Sequence, residues 1–77
     1  MIRRYEEVCV LERTILHNAE RIRQEKGLTH QVMADRLGLN KVALGDILRN
    51  KRRLSVKNVE RLALALGVHA ADLMGDN

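Results

Sequence analysis

Residues 28–44 read LTHQVMADRLGLNKVAL, and this stretch holds two helix starts on either side of a glycine. Each start has an apolar residue, a capping residue and a second apolar residue four positions after the cap, which is the pattern of a hydrophobic staple. The caps are Thr29 in the first start and Asn40 in the second, and Gly38 lies between them. The pattern predicts two short helices joined by a tight turn.

The same spacing recurs twice further along the chain, with Ser55 and His69 in the capping place. Histidine is a poor cap, so the last start is the weakest of the four. Earlier in the chain, Ile15, Ala19 and Ile22 form an apolar stripe with helical spacing. We expect five helices at about 14–26, 30–37, 41–49, 56–66 and 70–74, ending at Gly27, Gly38, Asn50, Gly67 and Gly75. Because the connections are short, neighbouring helices should pack on one another, and the predicted fold is all-α, a compact five-helix bundle.

The composition fits one small intracellular domain. The chain has 77 residues, 45% of them hydrophobic, and it lacks Phe, Trp and Pro, so the core has to be aliphatic. No apolar run approaches the roughly 18 residues that a membrane helix needs. The first residues turn acidic before any apolar stretch, which is not typical of a signal peptide. The single cysteine, Cys9, excludes an internal disulfide and indicates a reducing compartment, so we expect a cytoplasmic protein with no membrane partner.

The positive charge is concentrated in one sector of the chain. Between Arg36 and Arg53 there are six basic residues and one acidic residue, a net charge of +5, whereas the whole chain carries +4. Such a sector attracts a polyanion, although charge alone fits a solvated basic face equally well. The sector coincides with the helical hairpin of residues 28–49, where Ala34 is small enough for close helix approach. The leucines and isoleucine that can seal the corner are Leu37, Leu39, Leu44, Ile47 and Leu48. Together, hairpin and charge favour DNA binding over simple packing.

Other chemistry is not indicated. The histidines, His17, His30 and His69, share no metal-binding spacing with one another or with Cys9. The sequence also lacks a nucleophile–base pair, a glycine loop for phosphate and paired carboxylates in a predicted cleft. We therefore expect no enzyme activity, no cofactor and no metal, and we interpret Cys9 as an ordinary thiol.

The spaced positions from Arg21 to Leu73 resemble those of the phage repressor and Cro type of helix-turn-helix protein, the XRE family. The matching positions are Arg21, Ile22, Arg23, Gly27, Leu28, Thr29, Met33, Ala34, Leu37, Gly38, Leu39, Asn40, Leu44, Ile47, Leu66, Gly67, Val68, Asp72 and Leu73. The resemblance covers roughly residues 14–74 and implies a lambda-repressor-like domain, here assigned to residues 13–77. Residues 49–56 also resemble the controller proteins of restriction–modification systems. Residues 1–12 form an N-terminal extension that could lengthen the first helix, form a strand or arm, or stay loose.

The resemblance implies a role for each position of the hairpin. In this family the second helix starts against the DNA backbone and the third helix lies in the major groove. The implied base-reading residues are Lys41, Val42, Gly45 and Asp46. Lys41 can donate to guanine, Val42 can contact a thymine methyl, and Asp46 can accept from cytosine. The implied phosphate contacts are Thr29, His30, Gln31, Asn40, Arg49, Lys51, Arg52 and Arg53.

The sequence departs from the family pattern at several of these positions. His30 replaces the usual glutamine, which would make the phosphate contact weaker or sensitive to pH. Leu48 occupies the position of the glutamate that usually pairs with the arginine at Arg23, so Arg23 needs another partner or reaches solvent. Asp46 is unfavourable near phosphate unless it meets a cytosine or selects against other bases. Asn50 and Leu54 stand where glycine and proline are more usual, which indicates a different exit loop.

The resemblance implies a sequence-specific DNA-binding transcriptional regulator that acts as a homodimer on a palindromic operator. It would occupy a promoter or contact RNA polymerase from an adjacent site. The alternative is a protein-interaction module with the same fold, such as an antitoxin or antirepressor; RNA binding is disfavoured because Tyr5 is the only aromatic residue. The dimer contact could come from residues 1–12 or from the C-terminal apolar residues, which could equally complete the core: Leu66, Val68, Ala70, Leu73 and Met74.

Overall fold

The computed structural model describes residues 10–49 and 53–75, and this part of the chain is helical with short connections. The helices are α1 (Val10–Glu25), α2 (His30–Leu37), α3 (Lys41–Leu48), α4 (Val56–Leu66) and α5 (Ala70–Met74). The all-α, five-helix prediction is confirmed. Helix α1 begins at Val10, earlier than expected, so residues 10–12 extend the first helix. Residues 1–9 of the predicted extension, Cys9 among them, lie outside the described residues.

Three of the four predicted caps form as expected. The side-chain oxygen of the cap accepts the backbone N–H three residues later at 3.1 Å for Thr29, 2.7 Å for Asn40 and 3.1 Å for Ser55. At His69 the roles are reversed, because the carboxylate of Asp72 accepts the backbone N–H of His69 at 3.0 Å. The weak histidine cap is thus compensated by an acidic residue in the first turn of α5.

Glycines end three of the helices, as predicted. Gly27, Gly38 and Gly67 have φ between 69° and 74°, a left-handed conformation in which a side chain would be strained. Gly75 also follows a helix, but its φ of −96° is open to any residue. The expected end of the third helix at Asn50 lies outside the described residues, and α3 itself ends at Leu48.

The core is entirely aliphatic and joins all five helices. Ala34 is fully buried at the corner between α2 and α3, where the sequence predicted a small side chain. The predicted corner residues are buried (Leu37 and Leu44) or packed against the core at partial burial (Leu39, Ile47 and Leu48). The buried core residues are Ile15, Leu16, Ala19, Ile22, Met33, Ala34, Leu37, Leu44, Val59, Leu62, Ala63, Ala65, Leu66 and Leu73.

The C-terminal apolar residues complete this core. Leu66 and Leu73 are buried within one chain, and Val68 and Ala70 pack against the core. Of the five residues considered for a dimer contact, Met74 alone is largely exposed. Asn18 of α1 stabilises the C-terminal end of α5, since its Nδ2 donates to the carbonyl oxygens of Leu73 at 2.7 Å and of Gly75 at 2.9 Å.

Helices α2 and α4 cap each other's C-terminal ends. Arg36 of α2 donates from Nη1 to the carbonyl oxygen of Ala65 in α4 at 2.8 Å. Arg61 of α4 donates from Nη2 to the carbonyl oxygen of Leu37 in α2. Both guanidinium groups thus lie at the negative end of a helix dipole and satisfy a carbonyl that has no partner within its own helix. No helix in the described ranges combines the length and apolar character that crossing a membrane requires.

Candidate nucleic-acid interface

A groove of about 300 Å³ runs between α1, the start of α2 and the length of α3. It brings His30 of α2 together with three other predicted contact residues, Lys41, Gly45 and Arg49, which follow one another at intervals of four along α3 and its end. The remaining lining residues are Glu20, Leu44 and Leu48. The fold therefore places the start of α2 beside the start of α3, with basic side chains around a common opening.

The four predicted base-reading residues share one side of α3. Lys41, Val42, Gly45 and Asp46 are spaced at i, i+1, i+4 and i+5, so they lie over one another along the helix. Val42 is 71% exposed although its side chain is apolar, and Lys41 is exposed beside it. Gly45 and Asp46 are partly buried. The first turn of α3 thus offers solvent a cationic donor and an apolar surface.

Gly45 makes room for the side chain of Arg49. A Cβ atom at position 45 would lie 3.1 Å from both terminal nitrogens of Arg49, so the guanidinium lies directly over the glycine. Nη2 of Arg49 is 3.4 Å from Oδ1 of Asp46, which places a positive charge beside this carboxylate. The family resemblance implied only a base-reading role for Gly45, and the structure adds this intramolecular packing.

The predicted phosphate contacts at the helix starts are exposed but differ in their hydrogen-bonding state. Thr29 and Asn40 use a side-chain oxygen for capping, which leaves the hydroxyl hydrogen of Thr29 and the amide hydrogens of Asn40 as donors. Gln31 donates from Nε2 to Oδ1 of Asp35 at 2.9 Å, so its amide is held along the helix. Backbone N–H groups at helix N-termini favour anions, which suits both positions to phosphate.

Glu20 is a member of this site that sequence reasoning missed. Its Oε2 accepts from Nε of Arg23 at 2.5 Å, and its Oε1 is 2.8 Å from Nε2 of His30. Arg23 also donates from Nη1 to the carbonyl oxygen of Leu28 at 2.6 Å. Leu48 cannot pair with Arg23, and Glu20 of the same helix as Arg23 takes that role instead. The Glu20 carboxylate also holds the imidazole of His30.

The charge of Glu20 is stabilised by these contacts. Burial raises the pKa of the Glu20 carboxyl, but hydrogen bonds and charge from Arg23 and His30 outweigh it, so the pKa lies below its ordinary value. Glu20 is thus an ionised acceptor at neutral pH. Nowhere in residues 10–49 and 53–75 do three His, Cys, Asp or Glu side chains form a group that could hold a metal ion.

The basic segment after α3 is described only at its last residue. Lys51 and Arg52, like Asn50, lie outside the described residues. Arg53 is exposed, and its Nε is 3.7 Å from Oε1 of Glu12, an oxygen that also accepts the backbone N–H of Leu54 at 3.0 Å. Glu12 of α1 was not predicted as a partner, because nothing in the spacing of residues 10–16 relates it to position 54.

Comparisons with known proteins agree with this architecture. A family model described as helix-turn-helix matches residues 20–73, more than half of the chain. A comparison with curated protein sequences found no match. Among solved structures, the chain is similar to the crystal structure of a hypothetical transcription factor, NHTF, from Neisseria. The TM-score is 0.75 and the sequence identity 28%, over 84% of this chain and 75% of the other.

The family match begins in the second half of α1 and covers α2, the turn at Gly38, α3, α4 and nearly all of α5. These are the elements whose caps, turn and core were predicted from the residues themselves. The chain therefore belongs to the XRE-type helix-turn-helix family of DNA-binding proteins.

Proposed function

We propose that this protein is a sequence-specific transcriptional regulator that acts in the cytoplasm as a homodimer on a palindromic operator. The observation that carries the proposal is the first turn of α3, where Lys41 shares a groove with His30 at the N-terminus of α2 and the neighbouring Val42 is 71% exposed. An exposed helix face of this kind fits the major groove, while the donors next to it can contact the flanking phosphates. The regulator would act by covering a promoter or by contacting RNA polymerase.

Each residue of the α3 face has a distinct chemical role in this proposal. Lys41 donates to the N7 and O6 acceptors of guanine, and Val42 packs against a thymine methyl. Asp46 accepts from the amino group of cytosine, and Arg49, which neighbours it at 3.4 Å, limits its repulsion of phosphate. At the starts of α2 and α3, the DNA phosphates are contacted by Thr29, His30, Gln31 and Asn40. Beyond α3, the DNA backbone is contacted by Arg49, Lys51, Arg52 and Arg53.

The homodimer is supported by one exposed face of α4. Leu64 is 82% exposed and shares a shallow groove with Lys57, Glu60 and Arg61. Two α4 helices packed antiparallel about a two-fold axis between Glu60 and Arg61 would place each Glu60 opposite Arg61 of the second copy. Each Leu64 would then cover the aliphatic stem of Lys57. A second copy of the chain therefore matches this face in both charge and apolar surface.

Binding to the DNA upstream of the protein's own coding sequence tests the regulator proposal. Affinity is measured by fluorescence anisotropy for the native duplex and for a scrambled duplex of the same composition, at several salt concentrations. Lys41→Ala should reduce the preference for native over scrambled DNA, by roughly 1–3 kcal/mol for a bidentate base contact. Arg53→Ala should instead weaken both duplexes similarly and lower the salt slope by about 1 for each phosphate lost.

Lys26→Ala is the matched control because Lys26 is an exposed lysine just after α1 that lines neither the groove between α1, α2 and α3 nor the proposed dimer face of α4. It should leave the preference for native DNA unchanged. Equal affinities for native and scrambled DNA would contradict regulation at that site, and no binding to either would favour a protein partner.

A further inference from the structure

The contact between His30 and Glu20 limits which hydrogen bonds the imidazole can make. The distance from Nε2 of His30 to Oε1 of Glu20 is 2.8 Å, and an ionised carboxylate only accepts hydrogen bonds. The hydrogen must therefore lie on Nε2 whenever this contact is made. In a neutral imidazole the other nitrogen, Nδ1, then has a lone pair and no hydrogen.

A phosphate oxygen is also only an acceptor. Neutral His30, held by Glu20 in this way, therefore has no ring hydrogen to give to the DNA backbone. It gains one on Nδ1 only when the ring takes up a second proton and becomes an imidazolium, which donates from both nitrogens. Since 46% of the His30 side chain is exposed at the start of α2, the ring is accessible to a phosphate there.

Charged groups surround the ring on each element that packs against it. From α1 come the carboxylate of Glu20 and, held by it, the guanidinium of Arg23. From α3 come the ammonium of Lys41 and the guanidinium of Arg49, which line the same groove. A phosphate placed beside Nδ1 would add negative charge at the point where the second proton attaches. Proton uptake and phosphate binding should therefore favour each other.

We propose that Glu20 is a positioning residue that fixes the hydrogen of His30 on Nε2 and thereby couples phosphate contact by His30 to the uptake of one proton per protomer. The inference rests on the proposed function, because it takes His30 as a phosphate contact. Histidine changes charge between pH 5 and 8. The complex would hold more protons than the free protein, so DNA affinity would rise as the pH falls through this range.

The test is DNA affinity at constant ionic strength from pH 8 to pH 6, measured by fluorescence anisotropy with the native upstream duplex. The wild-type affinity should rise by up to about tenfold per pH unit for each protomer whose His30 takes up a proton. Calorimetry at pH 7 in two buffers of different ionisation enthalpy gives the number of protons taken up independently. His30→Gln should bind DNA with a flat profile, because an amide donates without protonation.

Glu20→Gln should also flatten the profile, since a neutral imidazole beside an amide can carry its hydrogen on Nδ1. His17→Gln is the matched control, because His17 is an exposed histidine on α1, and this variant should keep the wild-type slope. A slope in His30→Gln or in Glu20→Gln equal to that of the wild type would overturn the inference. Tight, specific binding with no pH dependence in the wild type would overturn it while leaving the proposed function intact. No specific binding at any pH would mean that the proposed function itself fails, and this inference with it.

Discussion

Gly45 is the residue at which helix stability and DNA approach can be separated. Glycine inside a helix costs about 1 kcal/mol relative to alanine because it loses more backbone freedom on folding. Its φ is not in the left-handed region, and the atoms that a Cβ would meet, at 3.1 Å, are the end of the flexible Arg49 side chain. The backbone therefore does not require glycine at this position.

We expect Gly45→Ala to raise the free energy of unfolding by up to about 1 kcal/mol, measured by urea denaturation. The guanidinium of Arg49 should move aside, because its contact with Asp46 is long, at 3.4 Å, and Arg49 is exposed. If Gly45 also allows close approach to DNA, the more stable variant should bind the native duplex more weakly. A loss of stability would contradict this account of Arg49.

The caps could be predicted from sequence at the residue scale, whereas two polar contacts between distant positions could not. Thr29, Asn40 and Ser55 bond to an N–H three residues away, so local spacing was enough. Glu20 meets His30 across ten positions, and Asn18 meets Leu73 across 55. Such contacts depend on how helices pack, and nothing in their local sequence distinguishes them from solvated polar residues.

At the scale of elements, two reciprocal arginine contacts between α2 and α4 determine how the α2–α3 hairpin packs against the rest of the domain. Arg36 and Arg61 each reach the last carbonyls of the other helix. The basic sector of the sequence included Arg36, but its guanidinium is committed to α4 at 2.8 Å. The Arg36 guanidinium is thus held at the end of α4, and the next basic residue along the chain is Lys41, at the start of α3.

Removal of either arginine should lower stability. We expect Arg36→Met and Arg61→Met each to reduce the free energy of unfolding by about 1–2 kcal/mol, because each leaves a helix-end carbonyl without its charged donor. Urea denaturation measures the effect, and Lys57→Met serves as the control on the exposed side of α4, with an expected change within about 0.5 kcal/mol. Arginine variants no less stable than this control would show that the two contacts do not support the packing.

The helix boundaries show which sequence patterns predict the end of a helix and which do not. Glycines and caps marked the ends of α2, α4 and α5 well, because each signal acts within a few residues. The start of α1 was placed too late, since Val10 and Leu11 are both more than half exposed and add no apolar stripe. The helix there continues past the residues that pack, so the apolar stripe from Ile15 onward does not mark how far it extends.

At the scale of the whole molecule, the proposed homodimer needs a surface that could join two copies. The C-terminal leucines were candidates by sequence alone, yet Leu66 and Leu73 are needed to complete a small core, which contains no aromatic side chain among residues 10–49 and 53–75. The sequence alone could not decide between core packing and a dimer contact, because an apolar residue near a chain end can serve either purpose. The exposed fraction of each side chain distinguishes the two uses: Leu66 and Leu73 are buried in the core, whereas Leu64 on α4 is exposed and available for a dimer contact.

We expect Leu64→Lys to convert a dimer to a monomer in sedimentation equilibrium, because each new ammonium would lie opposite Lys57 of the second copy and the apolar contact would be lost. The stability of the single chain should change little, since Leu64 is 82% exposed in it. Val56→Lys is the control: this valine is on the same helix and 75% exposed but outside the Leu64 groove, so the variant should stay dimeric. Dimers of unchanged strength in Leu64→Lys would exclude this face as the contact.

The claim that the start of α3 reads DNA is tested most directly by NMR of the labelled protein titrated with its upstream duplex. The account predicts that the largest backbone amide shift changes occur at residues 29–31 and 40–46, with residues 68–75 little affected. Scrambled DNA should mainly perturb the phosphate-contacting positions 29–31 and 40. Changes concentrated on α4 and α5, or the same pattern at 41–46 with scrambled DNA, would contradict the claim.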